Sequence, residues 1–136
     1  MTTNKGRDIQ VLTYILKNQM KIRSAVERLG ASLNSSASNS ILQDEQAFDL
    51  CAMYMAQIGE NVKLLTDESK DSLSETISLD VLKYFRNMID HDYEKINKSF
   101  LLPYIESTQS DKAISAVKQL ITQYTNDMNS NKGDTK

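Results

Sequence analysis

The chain has 136 residues, the size of one domain able to bury a core without disulfides or metals. A net charge of −2 argues against a protein that coats nucleic acid, which would carry a strong basic excess. One histidine and one cysteine are too few for a His/Cys zinc site or an internal disulfide.

A single proline and four glycines favour long helices over a many-turned sheet. No apolar run approaches the roughly 20 residues that span a bilayer. The start, MTTNKGRDIQ, lacks a basic-then-apolar leader pattern. A soluble, cytoplasmic protein with no membrane partner is expected, and Cys51 reads as a buried small hydrophobe in a reduced compartment.

The first predicted helix runs from about Asp8 to Leu29. Ile9, Leu12, Leu16, Met20, Val26 and Leu29 recur at helical spacing, with Tyr14, Ile15 and Ile22 on the flanks. Gly30 offers a stop, and LGASLNSSASNS, about 30–40, reads as a loop. Phe48, Cys51, Met55, Ile58, Val62 and Leu65 then step 3, 4, 3, 4, 3, the seam of a helix packed along another. Asp44 and Glu45 sit near its start, where the helix dipole favours negative charge. Ala52, Ala56 and Gly59 form a small-residue stripe that lets a neighbour approach.

TDESKDSLSET reads as a polar connector, and Ser78 as the N-cap of a helix through Leu79, Leu82, Phe85 and Ile89. Pro103 interrupts the apolar stretch that follows, so a short helix or turn is expected there. A last helix should begin near Ser110 or Asp111, with Ile114, Val117, Ile121, Tyr124 and Met128 on its seam. The tail NSNKGDTK, about 129–136, has no apolar anchor and is expected to be disordered. The expected fold is one all-α bundle of four to five helices spanning 1–136.

No glycine-rich phosphate loop is present, and the carboxylates show no metal-ligand spacing. No cofactor and no metal are expected. The chemistry is concentrated in RNMIDHDY, residues 86–93, which places a guanidinium, the sole imidazole and a phenol together. On a continuous helix Arg86 would pair with Asp90 and His91 would sit beside Asn87, an ordinary polar helix end. Metal-free RNA cleavage offers a second reading. The 2′-hydroxyl must lose a proton, the phosphorane must be stabilised, and the 5′-oxygen must gain a proton. An imidazole can move the protons and a guanidinium can hold the phosphate in a fork. Asn87 can fix the imidazole tautomer or hold a phosphate oxygen. Tyr93 can hydrogen-bond phosphate or stack on a base. One histidine per chain is too few for acid and base, so a two-fold dimer belongs to this reading. Arg86 and His91 converge only where the helix ends or bends near Ile89 to His91, or where a partner subunit completes the site.

R-x(4)-H-x-Y, read as RNMIDHDY in a helical chain of this length, resembles the HEPN superfamily and within it the HepT-like toxins. IGENVKLL (Ile58 to Leu65) is similar to that family's recurring Gly-Glu segment, and RDIQVLTYILKNQMKI to its first helix. The resemblance covers roughly residues 7–105. It implies a HEPN-type homodimer with a shared cleft, a metal-independent ribonuclease acting on mRNA or tRNA, and Arg86 and His91 as its catalytic pair. Asn87 then becomes the polar neighbour in the cleft, and Glu60 a supporting residue towards the site or the partner. Tyr93 matches the tyrosine adenylylated by an MntA-like nucleotidyltransferase antitoxin, a modification that would block RNA by bulk and charge. Two alternatives stand beside this reading. One is a non-catalytic helical partner of a nucleotidyltransferase that binds nucleotide or phosphate through the same motif. The other is a plain interaction module with no use for Arg86 or Tyr93.

Overall fold

The computed structural model describes residues 4–33, 41–91 and 93–134, and every element among them is helical. Helix α1 spans Asn4–Leu33, α2 Glu45–Val62, α3 Asp67–Leu73, α4 Leu79–His91, α5 Leu102–Ile105 and α6 Ser107–Asp134. Two 3₁₀ turns, Tyr93–Lys95 and Lys98–Leu101, carry the chain from α4 to α5. No described helix is long and apolar enough to cross a membrane. The four longer helices make the bundle: α1 packs on α2 and on α6, and α2 packs on α4.

Helix α2 forms as its seam demands. Asp44 caps it by accepting from the Ala47 amide at 2.9 Å. Phe48, Cys51, Met55, Ile58, Val62 and the following Leu65 are all buried. Burial pushes the Cys51 thiol up to about 12, so it packs as a neutral side chain. The small stripe faces α4. A Cβ on Gly59 would lie 2.9 Å from the Leu82 carbonyl oxygen, so the two backbones meet at a distance only glycine allows.

In α1 the buried face differs from the apolar pattern. Val11, Leu12, Ile15, Ile22 and Ala25 are buried beside polar Asp8, Asn18 and Gln19, whereas Tyr14 and Met20 are 60% and 41% exposed. Asp8 explains the rotation, because its carboxylate is a buried hub. It accepts from Thr66 Oγ1 at 2.6 Å, from Ser69 Oγ at 2.5 Å and from the Thr66 amide at 3.3 Å. Ser69 spends its single proton on Asp8, so the Tyr124 hydroxyl, 2.7 Å away, donates to Ser69. The chain of bonds ties α1, α3 and α6 together.

That network also corrects the polar connector. TDESKDSLSET contains α3, capped by Thr66 and anchored by fully buried Leu73 and Ser69. Three boundaries move as well. Helix α1 passes through Gly30 to Leu33, since one glycine costs only about 1 kcal/mol inside a helix. The rest of the expected loop, 34–40, lies outside the described residues. Helix α6 starts at Ser107 because the Glu106 carboxylate accepts from the Thr108 and Gln109 amides at 3.1 and 2.9 Å. It continues to Asp134 through most of the expected disordered tail, each turn propagating on the backbone bonds of the last. Residues 135–136 lie outside the described residues. Pro103 sits in the first turn of α5, where its missing N–H costs nothing.

Candidate functional site

Helix α4 delivers the motif. Ser78 caps it, accepting from the Val81 amide at 3.3 Å, and Leu82 and Phe85 bury its inner face. Arg86 lies one turn beyond Leu82 on the same face. Since Leu82 touches Gly59, Arg86 is brought beside the residue after that glycine, and its Nε stands 3.5 Å from Glu60 Oε1. Lys63 reaches the other Glu60 oxygen at 3.7 Å. The guanidinium thus pairs with Glu60 across the helix interface rather than with Asp90 along its own helix.

An open groove of about 320 Å³ runs between α2 and α4. Met53, Ala56 and Glu60 line it from α2; Arg86, Ile89 and Asp90 line it from α4. Met53 is 54% exposed, so one apolar side chain of the groove lies open to solvent.

Helix α4 runs without a break through both Arg86 and His91. Asp92 lies outside the described residues. Residues five apart on a helix differ by roughly 140° in direction, so Arg86 and His91 face apart within one chain. His91 and Asn87 are both exposed and neither lines the groove. The structure therefore unites Arg86 with Glu60 and leaves His91 and Asn87 on the open side of α4.

Tyr93 opens the 3₁₀ turn and folds back on α2. Its ring stacks on Phe48 with centroids 6.4 Å apart and planes 30° apart, and its hydroxyl donates to Asp49 Oδ1. Burial first, then the hydrogen bond to Asp49 and the charges of Asp49 and Glu45, hold the phenol protonated well above the ordinary tyrosine range. Lys98 Nζ lies 4.9 Å from the centre of the Phe48 ring and ties the same segment to the same helix. Asp49 carries no sequence signal, being one of several acids on a helix. Only its place relative to the Phe48 seam puts it within reach of Tyr93.

Asp49 and Glu60 are eleven residues apart, roughly 20° in phase and roughly 16 Å along the axis. They share a stripe with Met53 and Ala56. The α2–α4 line is thus held at one end by Glu60–Arg86 and at the other by Asp49–Tyr93. No family model matches this chain, and no curated protein and no solved structure matches it.

Proposed function

We propose that the protein is a metal-independent endoribonuclease toxin of the HEPN, HepT-like kind, active as a homodimer, and silenced when a partner nucleotidyltransferase adenylylates Tyr93. The observation that carries the reading is the placement of RNMIDHDY. Arg86 lies on the wall of an open groove, the sole imidazole stands at a helix end, and a phenol with an exposed hydrogen bond follows within two residues. Arg86 would hold the scissile phosphate and stabilise the phosphorane. His91 would move protons between the 2′-hydroxyl, the 5′-oxygen and water. The products of such a cleavage are a 2′,3′-cyclic phosphate and a 5′-hydroxyl.

The 140° divergence of Arg86 and His91 makes two copies part of the mechanism. A second α4 across a two-fold axis supplies the group that each copy cannot bring to the same site. Glu60 holds Arg86 at the groove until phosphate, which takes the guanidinium in a fork, competes for it. Adenylylation of Tyr93 would set a bulky anion beside His91 and repel RNA.

The test is induced expression in a bacterial host, wild type beside His91→Ala, with total RNA from each. Growth arrest with RNA cleavage in the wild type alone supports the reading; equal arrest in both removes His91 from it. One observation favours the non-catalytic alternative: Arg86 already has a carboxylate partner. Purified dimer that binds labelled RNA or nucleotide and leaves the RNA intact would establish that alternative.

A further inference from the structure

Tyr93 is fixed by a residue that the motif does not contain. Its hydroxyl donates to Asp49 on α2, its ring stacks on Phe48, and Glu45 lies close enough to add negative charge. In the turn it opens, the Ile96 amide donates to the Tyr93 carbonyl at 3.2 Å. Beyond the turn the chain is held independently. The Asn97 amide donates to the Tyr84 hydroxyl at 2.8 Å, and Tyr84 packs edge-on against Phe100 at 4.9 Å. Among the described residues, the segment from Tyr93 is held to α2 by Tyr93–Asp49 and by Lys98 over the Phe48 ring, and to α4 by Asn97/Phe100–Tyr84.

We propose that Asp49 is the positioning residue for Tyr93, a latch that pins the turn after His91 to α2 and is opened when the tyrosine oxygen carries a phosphate-type ester. The chemistry is local. An ester at the oxygen removes the only donor in the Tyr93–Asp49 bond. It also places negative charge against two carboxylates, Asp49 and Glu45, with Lys98 the nearby cation over the Phe48 ring. Repulsion replaces a hydrogen bond at one anchorage while the other stays closed. The turn Tyr93–Lys95 swings away from α2. The modification then acts on site geometry as well as by bulk.

The latch rests on the reading of Tyr93 as a modified residue, but its first test needs neither partner nor RNA. Amide hydrogen exchange at Ile96 is measured in the full chain, with Phe100, whose amide bonds the Asn97 carbonyl, as the reference. Asp49→Ala and Tyr93→Phe should each speed Ile96 exchange about five- to tenfold. The double variant should be no faster than either, because the two residues act through one bond. Asp49→Asn keeps an acceptor and loses the charge. It should leave exchange within about twofold of wild type while lowering the Tyr93 ionisation midpoint, since the Asp49 charge that raises it is gone. That midpoint is followed on the labelled ζ-carbon, and a merely structural role for Asp49 would not move it.

O-methyltyrosine at position 93 removes the donor without charge, whereas O-phosphotyrosine adds the charge. The phosphorylated chain should exchange faster at Ile96 than the methylated one, with the Phe100 amide unchanged in both. Unchanged exchange in Asp49→Ala and Tyr93→Phe, additive effects in the double variant, or equal exchange in the methylated and phosphorylated chains would each overturn the proposal. These failures are separate from failure of the ribonuclease reading, which the expression test of His91→Ala decides alone.

Discussion

Arg86 and Glu60 form an ion pair only because Gly59, the residue before Glu60, meets the backbone of Leu82, one helical turn before Arg86. The contact between two backbones thus sets the contact between two charges. The side-chain exposures are unequal, 20% for Arg86 and 55% for Glu60, so the pair is partly screened and its worth is positional more than energetic. It decides which way the guanidinium lies in the groove.

Gly59→Ala should therefore act on both stability and site. A methyl group 2.9 Å from the Leu82 carbonyl oxygen meets backbone, which cannot rotate aside, so α2 and α4 must separate. Overpacking of this kind costs roughly 1–3 kcal/mol. Denaturant unfolding should show a lower midpoint with an unchanged slope. Ala56→Gly, on the same stripe at the groove, should not reproduce the shift in groove geometry.

The buried hub at Asp8 gives a second stability prediction. Asp8→Ala leaves the Ser69 hydroxyl and the Thr66 amide without their acceptor in the core, a loss of about 2–3 kcal/mol. Asp8→Asn keeps an acceptor oxygen and should cost less. Tyr124→Phe removes only the outermost bond of the chain and should cost about 1 kcal/mol. If all three variants unfold at the wild-type denaturant midpoint, the network contributes nothing to stability.

These two regions show what the sequence discloses and what it hides. The α2 seam is legible because six apolar residues keep one phase and all six are buried. The small stripe is legible for the same reason, and it faces a helix as expected. The α1 face is not, because Asp8, Asn18 and Gln19 occupy core positions that apolar counting assigns to solvent. Helix α3 hides in a polar connector because its anchors are a serine and one leucine. At the candidate site, the gathering of polar side chains in RNMIDHDY follows from the sequence. Asp49 does not, since its partner Tyr93 is 44 residues away and nothing local marks the pair.

Acid should loosen the start of α6 in a defined direction. Backbone bonds from Gln109 and Thr108 hold the Glu106 carboxyl below its usual 4.5. The folded value is depressed, so the stabilisation is complete above about 4.5 and is lost as pH falls through the lower folded value. Amide exchange at Thr108 and Gln109, corrected for intrinsic pH dependence, should rise over that acid window. Glu106→Gln should abolish the rise, and a rise that persists in the variant would assign it to another group.

The separation of Arg86 and His91 on one helix leads to the sharpest test of the proposed dimer site. Arg86→Ala and His91→Ala should each lower RNA cleavage by about 10²-fold or more without changing the unfolding midpoint, because both side chains act at the reacting phosphate. Suppose each site takes Arg86 from one copy and His91 from the other. A mixed dimer of the two variants then holds one site lacking both groups and one site that is whole. Random exchange of equal amounts gives half mixed dimers, hence about a quarter of wild-type cleavage from two preparations that are each inactive. A site built within one chain restores nothing on mixing, since every copy lacks one group. Mixing the two purified variants, with exchange verified by mass, and assaying labelled RNA distinguishes these arrangements. Recovery of about a quarter places the catalytic pair across the two-fold axis, and no recovery after verified exchange removes that arrangement.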